Sequence, residues 1–328
     1  MSAPRVALIG ARRARQGLGP FVARDLHAAG AEISGFLTTR PESSAQAALS
    51  LRAQAGVEAR GYLDLEELIA HERPDALAIL SPAQTHAEIL RSAARAGLHV
   101  LCEKPFIWGA SEAMTQCREI LGAFERAERL VWENCQWPYA LPAFEALHPG
   151  SLDQPPRSFQ MELQPASRGL QSLADAVPHP LSLLQALAPG ASKIRDPWFS
   201  TPRAEGETLT VGFHYEVGDH RVEVKIKLSR GVTTPRQSAL SIDGQRAERV
   251  VSGPDYRLSL KDSERSVPLE DPLTLLVDGF VEALRDPSAG SGKSRAREIA
   301  QRMQLLTDVA DAYRREVEAP EERLDFAR

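Results

Sequence analysis

The stretch that most constrains this chain is ALAILSPAQTHAEILRSAARAGLHVLCEKP, residues 76–105. It opens on a short apolar run, Ala76 to Leu80, and closes on another, Leu98 to Cys102. Each has the length and composition of a strand buried on both faces of a parallel sheet. Between them Ile89, Leu90, Ala93 and Ala94 keep one helical face apolar, Thr85 and Glu88 have capping-box spacing, and Gly97 is a stop signal. Strand, helix, strand predicts a crossover unit. In such sheets ligands bind outside the carboxyl ends of the strands, so chemistry is expected at Ser81-Pro82 and at Glu103-Lys104-Pro105.

Those residues carry a likeness. A strand ending in Ser81-Pro82, the pair Thr85-His86, and the run Ala96 to Pro105 (AGLHVLCEKP) resemble the glucose-fructose oxidoreductase, inositol dehydrogenase and rhizopine catabolism family, Gfo/Idh/MocA. The resemblance implies an α/β Rossmann domain that binds a nicotinamide dinucleotide, followed by an α+β domain with an open, mainly antiparallel sheet. It implies that Ser81 and Pro82 line the nicotinamide side and that His86 packs near the cofactor. The residues alone equally allow His86 to be a first-turn surface histidine. Glu103 would contact the nicotinamide ribose or fix its turn. Lys104 would border the cofactor and hydrogen-bond the reacting oxygen.

With 328 residues the chain is long enough for two domains. They are expected at 1–140 and 141–328, the terminal helices returning toward the first domain. The formal charge of -5 is mild and its two signs are interspersed, which points to neither a nucleic-acid surface nor a membrane. Cys102, Cys117 and Cys135 lack metal-type or redox spacing and read as buried thiols of a reducing compartment, so the cytoplasm is expected. No signal or transit peptide is expected, because Val6 to Ile9 already reads as strand.

The first strand, Arg5 to Ile9, ends at Gly10, where a dinucleotide-binding fold places its phosphate loop. The usual Gly-x-Gly-x-x-Gly wants glycine at position 12, yet Arg12 stands there and the next glycines are Gly17 and Gly19. The loop is therefore enlarged and basic, with its helix starting near Gly19-Pro20. Arg12, Arg13 and Arg15 are either a clamp on cofactor phosphates or a solvated face. Guanidinium forks suit phosphate, so at least one is expected on the cofactor, with Arg12 and Arg13 the candidates. The second strand, Glu32 to Leu37, leads to Thr38, Arg40, Ser43 and Ser44. An NAD pocket usually carries a carboxylate at this strand end, whereas a 2′-phosphate favours Arg, Ser and Thr. NADP is the expected cofactor, NAD the alternative, against the reading that Arg40 merely begins a loop.

A last parallel strand, Leu130 to Glu133, runs into Asn134, Gln136 and Trp137. Related chains tend to meet their substrate at this strand end. Trp137 would stack on a sugar-like ring while Tyr139 packs.

The second half changes character. Thr208 to Val217 and Val222 to Leu228 alternate as half-buried antiparallel strands, and Ser238 to Ile242, the Asp243-Gly244 turn, Arg249 to Val251 and Tyr256 to Leu260 extend the sheet. His214 falls on the polar face and reads as a surface residue. Asp271 to Leu284 and Ser294 to Tyr313 are the predicted terminal helices. GSGKS, residues 290–294, lacks the leading glycine and the preceding strand of a phosphate-binding loop.

Asp175 and His179 carry the remaining chemistry. By resemblance, alcohol-oxidising relatives have an Asp and a His four residues apart at the front of a helix, here one expected to start at Pro180. A helix N-terminus favours neutral imidazole, the form a general base needs. His179 is the expected acid/base, while Asp175 orients the site. Ser182 stands where many relatives have a second carboxylate, which weakens a polyol clamp. The expected function is hydride transfer between nicotinamide and a secondary alcohol or carbonyl of a small, sugar- or cyclitol-like substrate. Its rivals are a non-catalytic dinucleotide sensor and an NAD-dependent redox-assisted glycosidase. A homodimer is the expected assembly, although Glu223, Lys225 and Lys227 charge part of the sheet face relatives use.

Overall fold

The computed structural model describes residues 2–12, 18–109, 112–200, 208–231, 234–253, 256–286 and 291–318, of which 291–294 and 318 by backbone alone. Arg13 and Arg15 of the phosphate loop lie outside the described residues. The chain forms two compact units, Met1–Asn134 with Leu273–Ala300, and Cys135–Pro272 with Gln301–Arg328.

The first unit alternates strand and helix: β1 (Arg5–Ile9), α1 (Gly19–Ala28), β2 (Glu32–Leu37), α2 (Pro41–Ala55), β3 (Arg60–Tyr62), α3 (Leu65–Glu72), β4 (Ala76–Ile79), α4 (His86–Arg95), β5 (His99–Cys102), α5 (Ala113–Arg126) and β6 (Val131–Glu133). Among the described residues its sheet has six strands in the order β3-β2-β1-β4-β5-β6, all paired in parallel. β4 and β6 are buried along their whole length, as their unbroken apolar character requires in a sheet covered on both faces. Direction of travel reverses between β1 and β4. That is the switch point at which such sheets open a ligand crevice.

Two local expectations are corrected. The Thr85-Glu88 capping box does not form: a 3-10 turn, Ala83–Thr85, precedes α4, and Thr85 has helical dihedrals. Its hydroxyl donates to Pro82 O at 2.8 Å and pairs with Ser81 Oγ at 2.7 Å, so it tightens the strand-end loop instead of capping the helix. The last long helix begins at Ser291, before the predicted Ser294.

The second unit contains α6 (Leu141–Leu147), β7 (Ser158–Leu163), α7 (Gly169–Ala176), α8 (Pro178–Leu187), β8 (Ser192–Ser200), β9 (Thr208–Val217), β10 (His220–Ser229), β11 (Ser238–Ile242), β12 (Gln245–Ser252), β13 (Arg257–Lys261) and β14 (Ser266–Leu269). Its sheet runs β14-β13-β12-β11-β7-β10-β9-β8 and is antiparallel except where β10 pairs with β7. On β10, Val222, Val224, Ile226 and Leu228 are buried while Arg221, Glu223, Lys225 and Lys227 are exposed. The period-two pattern thus separates an apolar face from a charged one. His214 is half-exposed on that charged face, against Asp196 and Arg221. Two more helices, α9 (Pro272–Arg285) and α10 (Ser291–Tyr313), follow the sheet, and within the first unit Phe280 meets Trp132 of β6 edge-on at 5.8 Å.

His99 ties two parallel strands together at their entry, accepting from Leu130 N at 2.8 Å through Nδ1, which demands an unprotonated nitrogen there. Burial first, and the Arg129 guanidinium second, hold its pKa down at about 4. A histidine depressed in the folded state is charged more readily when unfolded. Its contribution is therefore complete above the unfolded value of about 6.5 and is lost as pH falls from there toward 4. Urea midpoints should decline across that window, and His99→Gln should decline less steeply. Equal slopes for the two proteins would rule His99 out as the titrating group.

Candidate functional site

The chemistry-bearing residues of the first unit stand along one edge of its sheet because main-chain pairing continues one residue past each strand. Leu80 N donates to Ile9 O at 2.7 Å, Glu103 N to Ile79 O at 2.8 Å, and Asn134 N to Cys102 O at 2.7 Å. Gly10 lies at the switch point with φ +94°, and a Cβ there would meet the Leu80 carbonyl and Ser81 N at 2.9 Å. At Gly19, the first residue of α1, a Cβ would meet the Ala11 backbone at 2.5 Å. Side-chain-free backbone at both positions is the kind of cradle into which a pyrophosphate is drawn by the N-terminus of the following helix. Those residues fit a dinucleotide.

At the end of β2, Thr38 is buried and its hydroxyl donates to Arg40 O at 3.4 Å, while Arg40 itself is exposed at the entry to α2. Arg12 reaches across to the same place, its Nη1 donating to Ser43 Oγ at 2.7 Å. Arg12, Thr38, Arg40 and Ser43 thus gather donors at one point. The carboxylate near them, Glu42, is exposed in the first turn of α2.

His86 is fully buried. Its Nε2 lies 2.9 Å from Ser81 O, and its Nδ1 3.1 Å from Pro105 O and 3.3 Å from Phe106 O. One ring therefore stands between the loop holding Ser81 and Pro82 and the loop holding Glu103 and Lys104; with one N–H it donates to a carbonyl of one loop and packs against the other. Burial lowers its pKa, against the raising effect of those carbonyls. Beneath the second loop, Phe106 N donates to Oε1 of Glu133 at 2.8 Å, and Asn134 Nδ2 donates to Glu103 Oε1. Burial raises the Glu103 pKa, and the adjacent Lys104 opposes that rise. Glu133 was not a predicted site residue. Its signal was available, since a carboxylate on a fully buried strand is rare unless it is satisfied.

In the second unit, Trp137 is buried in a short 3-10 turn, Trp137–Ala140, that packs against α8. Cys135 Sγ lies 3.8 Å from Pro178 O at the start of that helix. Gln136 keeps its Oε1 buried with no hydrogen-bond partner among the described residues. The expected placement of Asp175 and His179 is corrected: α8 begins at Pro178, two residues before Pro180, and Asp175 lies in the last turn of α7. Both prolines fit within one first turn because its N–H groups have no intrahelical acceptors to lose. His179 is thus a first-turn residue of α8, while Asp175 takes hydrogen bonds from Ser167 Oγ and, at 3.0 Å, Gln171 Nε2. Ser182 Oγ turns back onto His179 O at 2.7 Å. Arg236 and Arg249 also enter this neighbourhood. Arg249 shares its face of β12 with Val251, a legible signal; nothing in the sequence marks Arg236.

Among the described residues no helix is long and apolar enough to cross a membrane, and no group of three or more His, Cys, Asp or Glu side chains is arranged to hold a metal.

If His86 is the clasp between the two loops, His86→Ala should speed amide exchange at residues 81–85 and 103–107 by about tenfold or more, and lower stability by about 1–3 kcal/mol. Unchanged exchange in either loop would refute the clasp.

Comparison with known proteins bears on these residues directly. The family described as "Oxidoreductase family, NAD-binding Rossmann fold" (GFO_IDH_MocA) matches residues 4–135. D-apiose dehydrogenase of Paraburkholderia graminis is 32% identical over 146 residues, which cover 42% of this chain and 36% of that protein's length. UDP-N-acetylglucosamine 3-dehydrogenase GnnA from Acidithiobacillus ferrooxidans superimposes with a TM-score of 0.67 at 22% identity, over 95% of this chain and 100% of that one. KijD10, a 3-ketoreductase from Actinomadura kijaniata in complex with NADP and TDP-benzene, superimposes with a TM-score of 0.68 at 16% identity, over 94% of this chain and 98% of the other. The two structural likenesses establish the fold of both units. Residues 4–135, less than half of the chain, carry the cradle at Gly10 and the Glu103-Lys104 strand end, and over that stretch the chain is similar to the Gfo/Idh/MocA oxidoreductases.

Proposed function

We propose that the protein is an NAD(P)-dependent oxidoreductase acting on a secondary alcohol, or the matching carbonyl, of a small sugar-like molecule, with NADP preferred. The observation that carries this reading is the sheet edge at the switch point, where Gly10, Ser81, Glu103 and Lys104 end adjacent strands. Gly10 and the start of α1 would hold the pyrophosphate. Thr38, Arg40 and Arg12 would hold the adenosine ribose, with guanidinium and hydroxyl donors suited to a 2′-phosphate. Ser81, Pro82 and Glu103 would border the nicotinamide. The dinucleotide, when bound, would accept or supply hydride at its nicotinamide ring.

The chain's own residues do the rest. Lys104 holds a positive charge against the oxygen on which alkoxide charge develops, which lowers the barrier because the charge is already in place. His179 takes the hydroxyl proton in oxidation and returns it in reduction. Asp175, fixed by Ser167 and Gln171 in the last turn of α7, would orient the site. Trp137 and Gln136 offer the substrate a ring face and a buried acceptor, and Asn134 steadies Glu103. Sugar dehydrogenases and a ketoreductase among the similar proteins support the substrate class.

Titration of NADPH and NADH into the purified protein should give tighter binding of NADPH, and Arg40→Ala or Arg12→Ala should each cut that preference by about tenfold, the scale of one charge-assisted contact. Equal binding of both nucleotides would remove the NADP preference; binding of neither would remove the oxidoreductase reading. With turnover established, His179→Ala should lower kcat by about 10²- to 10⁴-fold and leave NADPH affinity unchanged. A variant that loses nucleotide binding instead would place His179 outside proton transfer.

A further inference from the structure

The second unit concentrates guanidinium groups that the mechanism above does not use. Arg249 of β12 lies over Trp137, its guanidinium carbon 5.5 Å from the ring centroid, and its Nη2 donates to Arg236 O at 3.3 Å. The guanidinium of Arg236 in turn lies within the field of Asp175. Trp137, Arg249 and the main chain of Arg236 are therefore in contact inside the unit, with Asp175 bearing electrostatically on the Arg236 guanidinium. α8, with His179 in its first turn, packs against the turn that carries Trp137.

Three nitrogens of this group are buried without a hydrogen-bond acceptor among the described residues: Nε and Nη2 of Arg236, and Nε of Arg249. The two on Arg236 share one edge of the guanidinium plane. That edge presents two parallel N–H groups and is matched by the paired oxygens of a carboxylate or a phosphoryl group. The carboxylates bearing on the pair are Asp175 toward Arg236 and Asp271 toward Arg249. Asp175 is already engaged by Ser167 and Gln171, and it leaves the Arg236 edge unfilled. Burial weakens the hold of both guanidinium groups on their protons, the expected mark of cations withdrawn from water without full compensation. A buried donor without an acceptor is costly, and a ligand that brings the acceptors removes that cost. Gln136, the residue before Trp137, keeps a buried Oε1 free to accept from a sugar hydroxyl.

We propose that the substrate carries an anionic group, a carboxylate or a phosphoryl group, in addition to the reacting alcohol, and that Arg236 and Arg249 receive it while Trp137 covers the sugar ring. The inference rests on the oxidoreductase reading only for the word substrate. The anion site itself is a property of the second unit.

The test is calorimetric titration of the full chain, without nucleotide, using D-glucuronate, D-glucose 6-phosphate and UDP-glucose as anionic probes and D-glucose as the neutral one. At least one anionic probe should bind tenfold or more tightly than D-glucose, and raised salt should narrow that gap, since charge drives it. Arg236→Gln should abolish the preference, and Arg236→Lys, which keeps the charge but loses the two-pronged edge, should restore only part of it. The probe with the preference separates a carboxylate from a phosphoryl ligand. Four probes of equal strength, or none binding, overturn the proposal, as does a folded Arg236→Gln protein with its preference intact. If Arg236→Gln fails to fold, an undiminished gap at high salt in the native protein overturns it. Anion preference without NADPH binding would keep this site and remove the oxidoreductase reading. NADPH-linked turnover of neutral sugars without anion preference would do the reverse.

Discussion

Parallel main-chain pairing at the end of the first sheet fixes everything else about the candidate site. Each strand hands one hydrogen bond past its own last residue, so Leu80, Glu103 and Asn134 are held in register by neighbours whose side chains are fully apolar. The polar loops then leave from a rigid edge and not from mobile connections. That is why short motifs at strand ends, Ser81-Pro82 and Glu103-Lys104, can carry positional information that the same residues would lack on a surface loop.

The edge is maintained by polar groups placed just beneath it, and their charge balance matters. Glu133 satisfies Phe106 N and bears electrostatically on Cys102, Cys117 and Glu103, raising the pKa of each beyond what burial does; Cys117 reaches about 12. These thiols are consequently inert at neutral pH. Lys104 is the cation next to this acidic cluster and acts against it at Glu103. His86 belongs to the same layer. Its ring stands among carbonyls of both loops, and burial lowers its pKa against their raising effect.

Much of this was legible in the sequence, and the exceptions have physical reasons. The crossover unit from Ala76 to Cys102, the start of α1 at Gly19 and the alternating strands β9 and β10 announce themselves through periodicity and breakers. β8 does not: Pro197 and a register shift between Arg195 and Trp198 interrupt its alternation, so long-range pairing with β9 determines it. The capping box at Thr85 failed because hydroxyls compete among local carbonyls, and the loop offered Pro82 O at better geometry. Asp175 and His179 were recognisable as a spaced pair, but spacing does not reveal that a helix ends between them. Arg236 was invisible, since only folding brings it beside Asp175.

Arg12 illustrates how a departure from pattern changes the physics of a site without abolishing it. A glycine there would let backbone N–H groups approach a phosphate closely, an interaction fixed by geometry and little affected by ions. Arginine blocks that approach near the main chain but projects a charged fork, and the bond to Ser43 Oγ directs it toward the end of β2, where Thr38 and Arg40 stand. The charge of Arg12 thus serves, on the proposed reading, the ribose position rather than the pyrophosphate position. On the proposed reading, nucleotide binding by this chain rests more on side-chain charge and less on backbone dipoles than the glycine-rich loop would allow. Because exposed charge is screened over about 10 Å at 0.1 M salt, such a site discriminates between nucleotides best at low ionic strength.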